Sequence, residues 1–272
     1  MVRKLVLTLV VMAVASAGAL GVGTHDAQAR SLEEIIASGT LRVGVNPTLA
    51  PLGTYNDQNE IVGFDVDFST RIAEMLGVEL EVVTVGSPDR IPFVASGEID
   101  YVMGAMTRTP ARALIIDYTL PVHTEVFGVL TTDETDFATW QDLNSPDVTM
   151  VQVRGTTPLN FIEANLPDAE VLLLDNYPDV IRALAQGRGD AMLDVVDFVG
   201  EHMNNHDVSW RVLETPVDIY YCGLGVQKGN STLRDWLNVA IFELHRDGEV
   251  DEMWRNWFGV DMFAPVGVTP YF

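Results

Sequence analysis

The sequence is poor in several things, and each scarcity narrows its chemistry. It has one cysteine, Cys222, in 272 residues, so no internal disulfide can form and stability must come from core burial. Cys222 itself reads as a small apolar residue buried in a strand. Basic residues are scarce, with 16 Lys and Arg against 39 Asp and Glu and a formal charge of −23. Such a chain repels nucleic acid and anionic lipid, which excludes both as partners. The sequence contains no G-x-S-x-G, no Walker loop and no C-x-x-C, and Gly223-x-Gly225 lacks the third glycine of a dinucleotide loop. His202 and His206 have the i, i+4 spacing of a metal pair, but no third ligand accompanies them. They read as a solvated helix face, and neither a metal nor a cofactor is expected.

Long apolar runs are also absent beyond the first residues. There, Arg3-Lys4 precedes an apolar stretch from Leu5 to about Leu20, then Ala27-Gln28-Ala29. A basic end, an apolar stretch and a small-x-small site describe a secretory signal peptide over 1–29, cut after Ala29. No cysteine lies near the site, so a lipid anchor is not expected. Loss of Arg3, Lys4 and Asp26 would leave 14 basic and 38 acidic residues, a charge of −24. The hydrophobic fraction of 47% is ample for packed cores, and the length suits about one to two domains.

Along the rest of the chain, helix and strand signals alternate. Ser31-Leu32-Glu33-Glu34 is a capping box, and Gly39 stops its helix. Leu41, Val43 and Val45 form a strand. Phe64, Phe68 and Ile72 share one face of a helix that Gly77 ends, with Asp65 and Asp67 suiting its first turn. Residues 78–83 alternate as a strand, and Asp89 is expected to cap a helix ending at Gly97. After the strand Tyr101-Val102-Met103 the chain crosses at Thr124–Thr131 into a second strand–helix series. That series has strands at Val148–Val153, Val171–Leu174 and Ala191–Asp194, and helices opening at Thr157-Pro158 and Tyr177. A β-rich return at Asp218–Lys228 precedes two final helices, about 232–246 and 250–258. This is the pattern of mainly parallel sheets flanked by helices.

The stretch Gly104-Ala105-Met106-Thr107-Arg108-Thr109-Pro110-Ala111-Arg112 carries the most information. Thr109 is a good N-cap and Pro110 fits the first helical position. Arg112 then falls in the first turn, where its charge opposes the helix dipole, and a carboxylate partner would resolve the conflict. With Asp117-Tyr118-Thr119-Leu120-Pro121, and with Gly63-Phe64-Asp65-Val66-Asp67-Phe68 upstream, this stretch resembles the family 3 solute-binding proteins, the extracytoplasmic receptors of amino-acid ABC transporters. The resemblance runs from about Ser31 to about Gly259.

It implies the two-lobed type II periplasmic-binding-protein fold, in the α/β class, each lobe a mainly parallel sheet flanked by helices and the lobes joined by two crossing strands. The expected boundaries are 30–127 for the first part of lobe 1, 128–222 for lobe 2 and 223–272 for the return to lobe 1. The implied function is periplasmic binding of a polar amino acid or related small carboxylate, with delivery to a membrane ABC permease, by a monomer. By the same resemblance, Arg112 would pair with the ligand α-carboxylate and Thr107 would hold it through hydroxyl and N–H. The Ala105 carbonyl and Asp194 would take the ammonium group. Gly155, Thr156 and Thr157 would offer donors from the opposing lobe at a helix N-terminus. The plainer readings are a turn residue for Thr107 and helix caps for Thr156, Thr157 and Asp194.

The sequence departs from the family pattern where side-chain recognition is expected. Leu49 and Leu52 stand where many relatives have aromatic walls, and Asn46 stands where receptors for cationic amino acids often have an acid. Arg108 and Arg154 flank the motif positions and could reach an anionic side chain, although alternation points Arg108 away. Cyclohexadienyl dehydratases resemble the same motifs and use a glutamate near where Asp197 stands. An enzyme of that kind and a ligand sensor without transport are the two alternatives, and an enzyme is not expected.

Overall fold

The computed structural model describes residues 29–195, 198, 200–213 and 216–267. The expected signal peptide, apart from Ala29, and Asp197 therefore lie outside the described residues. No described helix is long and apolar enough to cross a membrane.

The first half follows the local signals closely. Ser31 Oγ accepts from the Glu34 N–H at 3.3 Å while Glu34 accepts from the Ser31 N–H at 2.7 Å, opening α1 (Leu32–Ser38), which left-handed Gly39 closes. β1 (Thr40–Val45) follows, then a small antiparallel hairpin of β2 (Thr54–Tyr55) and β3 (Ile61–Val62). α2 (Phe64–Leu76) buries Phe64, Phe68 and Ile72 and ends at Gly77. β4 (Glu79–Thr84), α3 (Arg90–Ser96), β5 (Tyr101–Val102) and α4 (Pro110–Ala113) come next. Asp89 precedes α3 but makes no side-chain capping bond.

β6 (Ile116–Thr132) is a single strand of 17 residues, longer than the crossing segment read from the sequence because it begins eight residues earlier, at Ile116. Beyond it lie β7 (Thr149–Val153), α5 (Thr157–Asn165), β8 (Glu170–Leu174), α6 (Tyr177–Ala185), β9 (Ala191–Asp194), α7 (Gly200–Met203) and β10 (Trp210–Val212). β11 (Asp218–Gln227), α8 (Ser231–Arg246) and α9 (Glu249–Phe258) complete the chain.

Among the described residues the main sheet has nine strands in the order β4-β1-β5-β11-β6-β9-β7-β8, with β10 added on β6. β1 runs parallel to β4 and β5, and β7 parallel to β8 and β9. β6 and β11 run antiparallel to each other and to their outer neighbours. The result is two α/β lobes that share two long crossing strands. β6 pairs with β11 as far as Phe127, opposite Asp218, and with β9 from Gly128 onward. The β6–β11 register shifts at Cys222/Gly223 and again before Gly225, which bends the pair between the lobes. The parallel strands β1, β5 and β7 point their carboxyl ends toward the space between the lobes, where open α/β sheets place ligands.

Candidate functional site

The loop after β5 is pinned from behind by buried charge. The Gly104 N–H donates to Asp65 Oδ2 at 2.7 Å, and Asp65 is fully buried. Asp65 lies in the first turn of α2, as the helix dipole suggests, and its side chain turns inward against this loop. Burial pushes the Asp65 carboxyl up to about 7, against the Gly104 hydrogen bond and the Arg90 charge. Arg90 grips the same loop, donating to the Gly104 carbonyl, to the Ala105 carbonyl at 3.2 Å and to Ser87 O at 3.1 Å. Held in this way, Ala105 takes φ +57°, a left-handed conformation that costs a non-glycine residue about 1–2 kcal/mol. The Ala105 carbonyl, expected to face an ammonium group, also accepts the Thr107 N–H at 2.9 Å.

Thr109 caps α4 by accepting from the Arg112 N–H at 3.2 Å. The Arg112 side chain is 9% exposed. It donates to Thr107 O at 3.1 Å and, across the cleft, to Gly155 O at 2.9 Å. Carbonyl oxygens occupy the guanidinium, and among the described residues no carboxylate lies within ion-pair distance of it. Two further contacts bring the lobes together. The His202 Nε2 meets Thr48 O at 3.0 Å. Gly155, at φ +77°, lies so close to lobe 1 that a Cβ there would stand 3.0 Å from Pro88 Cα. His202 is therefore a cross-cleft contact rather than part of a solvated face. No group of three metal-ligating side chains is found among the described residues.

Lobe 2 contributes the N-terminus of α5. Its N-cap is Thr156, one residue before the expected Thr157, with extended backbone; the Thr156 hydroxyl donates back to Val153 O at 2.7 Å and makes no capping bond. Thr157 occupies the first helical position, and its hydroxyl is buried with no hydrogen-bond partner among the described residues. A buried hydroxyl left unpaired costs about 1–3 kcal/mol. The first-turn N–H groups of α5 have no intrahelical partner either. Asp194, at the carboxyl end of β9, is 4% exposed. Its Oδ1 accepts the neighbouring Val195 N–H at 2.8 Å, and its Oδ2 meets the Tyr177 hydroxyl at 3.4 Å. Burial pushes its carboxyl up to about 7, and the Glu125 charge adds to the rise.

Hydrogen bonds thus join Ala105, Thr107 and Arg112 to one another and to Gly155, next in sequence to Thr156 and Thr157, and the charge of Glu125, bonded to Thr107, acts on Asp194. Leu49 and Leu52 are fully buried in the main hydrophobic cluster and belong to the core. Arg108 is exposed, and Arg154 pairs with Asp175 at 3.0 Å on the surface. Three residues at the site carried no sequence expectation: Arg90, Glu125 and Tyr177. Glu125 is 5% exposed and accepts the Thr107 hydroxyl at 2.7 Å. It is the only acid between Val122 and Leu130, which was its available signal. Arg90, 3% exposed, is the one charged residue of α3, followed by five apolar residues.

Residues 41–260 match the model of the bacterial extracellular solute-binding proteins, family 3. The chain belongs to that family. The glutamine-binding protein GlnH of a Bacillus subtilis ABC transporter is 26% identical over 257 residues, covering 93% of each chain. The crystal structure of AncCDT-1, an ancestral amino-acid-binding protein and precursor of cyclohexadienyl dehydratase, superposes with a TM-score of 0.77 at 29% identity, over 84% of this chain and 99% of that one. The cyclohexadienyl dehydratase of Pseudomonas aeruginosa is 28% identical over 185 residues, covering 67% of this chain and 69% of the enzyme. The fold is the type II periplasmic-binding-protein fold, and the family's members are extracytoplasmic receptors. Two of these three relatives are amino-acid-binding proteins, one of them from an ABC transporter; the dehydratase shows that the scaffold also supports catalysis.

Proposed function

We propose that this family member is a periplasmic receptor that closes on a free α-amino acid and hands it to an ABC permease, acting as a monomer after cleavage behind Ala29. The observation that carries the reading is the pairing of Arg112 with Gly155 O across the cleft, beside the unpartnered Thr157 hydroxyl. A ligand carboxylate would exchange a carbonyl partner of Arg112 for a charged one and satisfy Thr157 and the α5 N-terminus together. Asp194 would accept the ammonium group, and Thr107 and the Ala105 carbonyl would complete the cradle, with Leu49 and Leu52 backing it from the core. The boundaries 30–127, 128–222 and 223–272 belong to the same proposal. They are supported by the change of β6 partner at Gly128 and by the register shift after Cys222.

The ligand side chain in this reading is uncharged or acidic. Asn46 is neutral, and its amide is engaged with Ser87 at 3.0 Å and with the Thr48 N–H at 3.0 Å. Arg90 brings a second buried guanidinium near the cleft, with no carboxylate in ion-pair distance among the described residues. A buried ligand cation beside two guanidinium groups would be strongly disfavoured.

A thermal-shift screen of the free amino acids tests the reading. A ligand at 100 times Kd stabilises a protein by about 2.7 kcal/mol, a shift of several degrees. At least one uncharged or acidic amino acid should give such a shift. No shift with any amino acid, or turnover of prephenate or arogenate by the purified protein, would replace the receptor reading.

A further inference from the structure

Glu125 sits on β6, the long strand common to both lobes, yet its carboxylate points into the site. Its Oε2 accepts the Thr107 hydroxyl at 2.7 Å. Thr107 forms an isolated bridge with Cys222 of β11, so this one cluster touches both crossing strands and the ligand loop. Among the described residues no cation lies within ion-pair distance of Glu125. The charged and titratable groups facing it are Arg112 of α4, Arg90 of α3, Asp194 of β9, Tyr177 of α6, and Cys222 and Tyr220 of β11. Burial holds its carboxyl above the usual carboxylate range, against the Thr107 and Cys222 hydrogen bonds and the two arginines.

A threonine hydroxyl has one proton to give. While Glu125 is ionised, Thr107 spends that proton on Oε2 and can offer the cleft only lone pairs. An incoming ligand carboxylate would then meet an acceptor, with a second carboxylate just behind it. When Glu125 is protonated, its own O–H donates to Thr107 Oγ1, and the threonine proton is free to turn to the ligand. We propose that Glu125 is a positioning residue that takes one proton from solvent when an amino-acid carboxylate binds at Thr107, and so sets the donor sense of that hydroxyl. The inference rests on the receptor reading above, which places the carboxylate there. Because ligand raises the proton affinity of Glu125, ligand affinity is greatest at low pH. It is lost as pH rises through the liganded Glu125 pKa. Asp194 works in the opposite sense, since pairing with the ligand ammonium releases a proton from it.

Calorimetric titration with L-glutamine and L-glutamate, in two buffers of different ionisation enthalpy near neutral pH, counts the protons exchanged. The wild type should take up more protons per ligand than Glu125→Gln, the difference approaching one. Its Kd should also weaken with rising pH more steeply than the variant's, by up to about tenfold per pH unit. Equal proton counts in the two proteins overturn the inference while leaving the receptor reading intact. Absence of binding by both probes and by every amino acid of the thermal-shift screen overturns the two together. Should Glu125→Gln fail to fold, wild type isotope-labelled at its glutamate carboxyls, which separates them from Asp194, decides: its infrared difference spectrum on adding L-glutamine should gain an isotope-shifted protonated-carboxyl C=O band. No such gain overturns the inference.

Discussion

Arg112 Nη2 donates to the Gly155 carbonyl at 2.9 Å, and this bond spans the two lobes. It places a lobe 1 guanidinium at the N-terminus of a lobe 2 helix, where an anion would satisfy both. A ligand carboxylate must therefore compete with the Gly155 carbonyl for the guanidinium.

The first prediction concerns Gly155. Its φ of +77° strains any side chain, and a Cβ there would stand 3.0 Å from Pro88 Cα, a tight contact. Gly155→Ala would add strain of about 1–2 kcal/mol from the left-handed backbone and would press on lobe 1 as the lobes close. The variant should bind amino acids more weakly, and small-angle scattering with ligand should show a larger radius of gyration than the liganded wild type. Equal radii at saturation would mean that the Gly155–Pro88 approach is not part of the liganded state.

His202 provides the second. Its contact with Thr48 O is made between lobes, away from Arg112. His202→Ala should favour the open form and weaken ligand by a few-fold, in keeping with about 0.5–1.5 kcal/mol for one hydrogen bond. Calorimetry of the variant checks this. An unchanged Kd would show that the contact forms without selecting the closed state.

Asp65 carries a third, in stability rather than binding. Burial raises its pKa in the folded protein to about 7, from the ordinary carboxyl value of 3.8. The favourable contribution of the protonated form is fully present below about pH 4 and is lost as pH rises to about 7. Asp65→Asn keeps an acceptor for the Gly104 N–H and removes that titration. Thermal melts from about pH 4 to about pH 8 should show a smaller decline in Tm for the variant than for the wild type. Parallel curves would assign the pH dependence elsewhere.

A fourth concerns ligand charge. Titration of ligand-stripped protein with lysine, arginine, glutamine and glutamate should show binding of glutamine or glutamate in preference to the two cations. Micromolar binding of lysine or arginine alone would mean that Glu125 or Asp194 serves the ligand side chain.

Much of this was legible because it is local. The Ser31–Glu34 capping box, the Thr109 cap and the stops at Gly39 and Gly77 depend on neighbours in sequence, and the structure has each as read. Arg112 stood out because its charge opposes a helix dipole, and its partners proved to be carbonyls of its own loop and of the other lobe. The inward turn of Asp65, Arg90 and Glu125 was not legible in this way. Each sits at a position where local rules permit exposure, and only packing against a distant loop or strand buries it. Thr157 shows a smaller limit: two adjacent threonines can each stand at the cap of α5, and the extended backbone of Thr156 decides between them without a side-chain capping bond.

The central claim is that Arg112 holds the ligand carboxylate. Calorimetric titration of Arg112→Ala, beside the wild type and with the amino acid that the wild type binds, tests it most directly. The account predicts a loss of roughly 2–5 kcal/mol in affinity, the range for truncating one partner of a buried hydrogen-bonded charge pair, with the fold retained. An unchanged Kd in a folded variant would contradict it and move the ligand site away from this cleft.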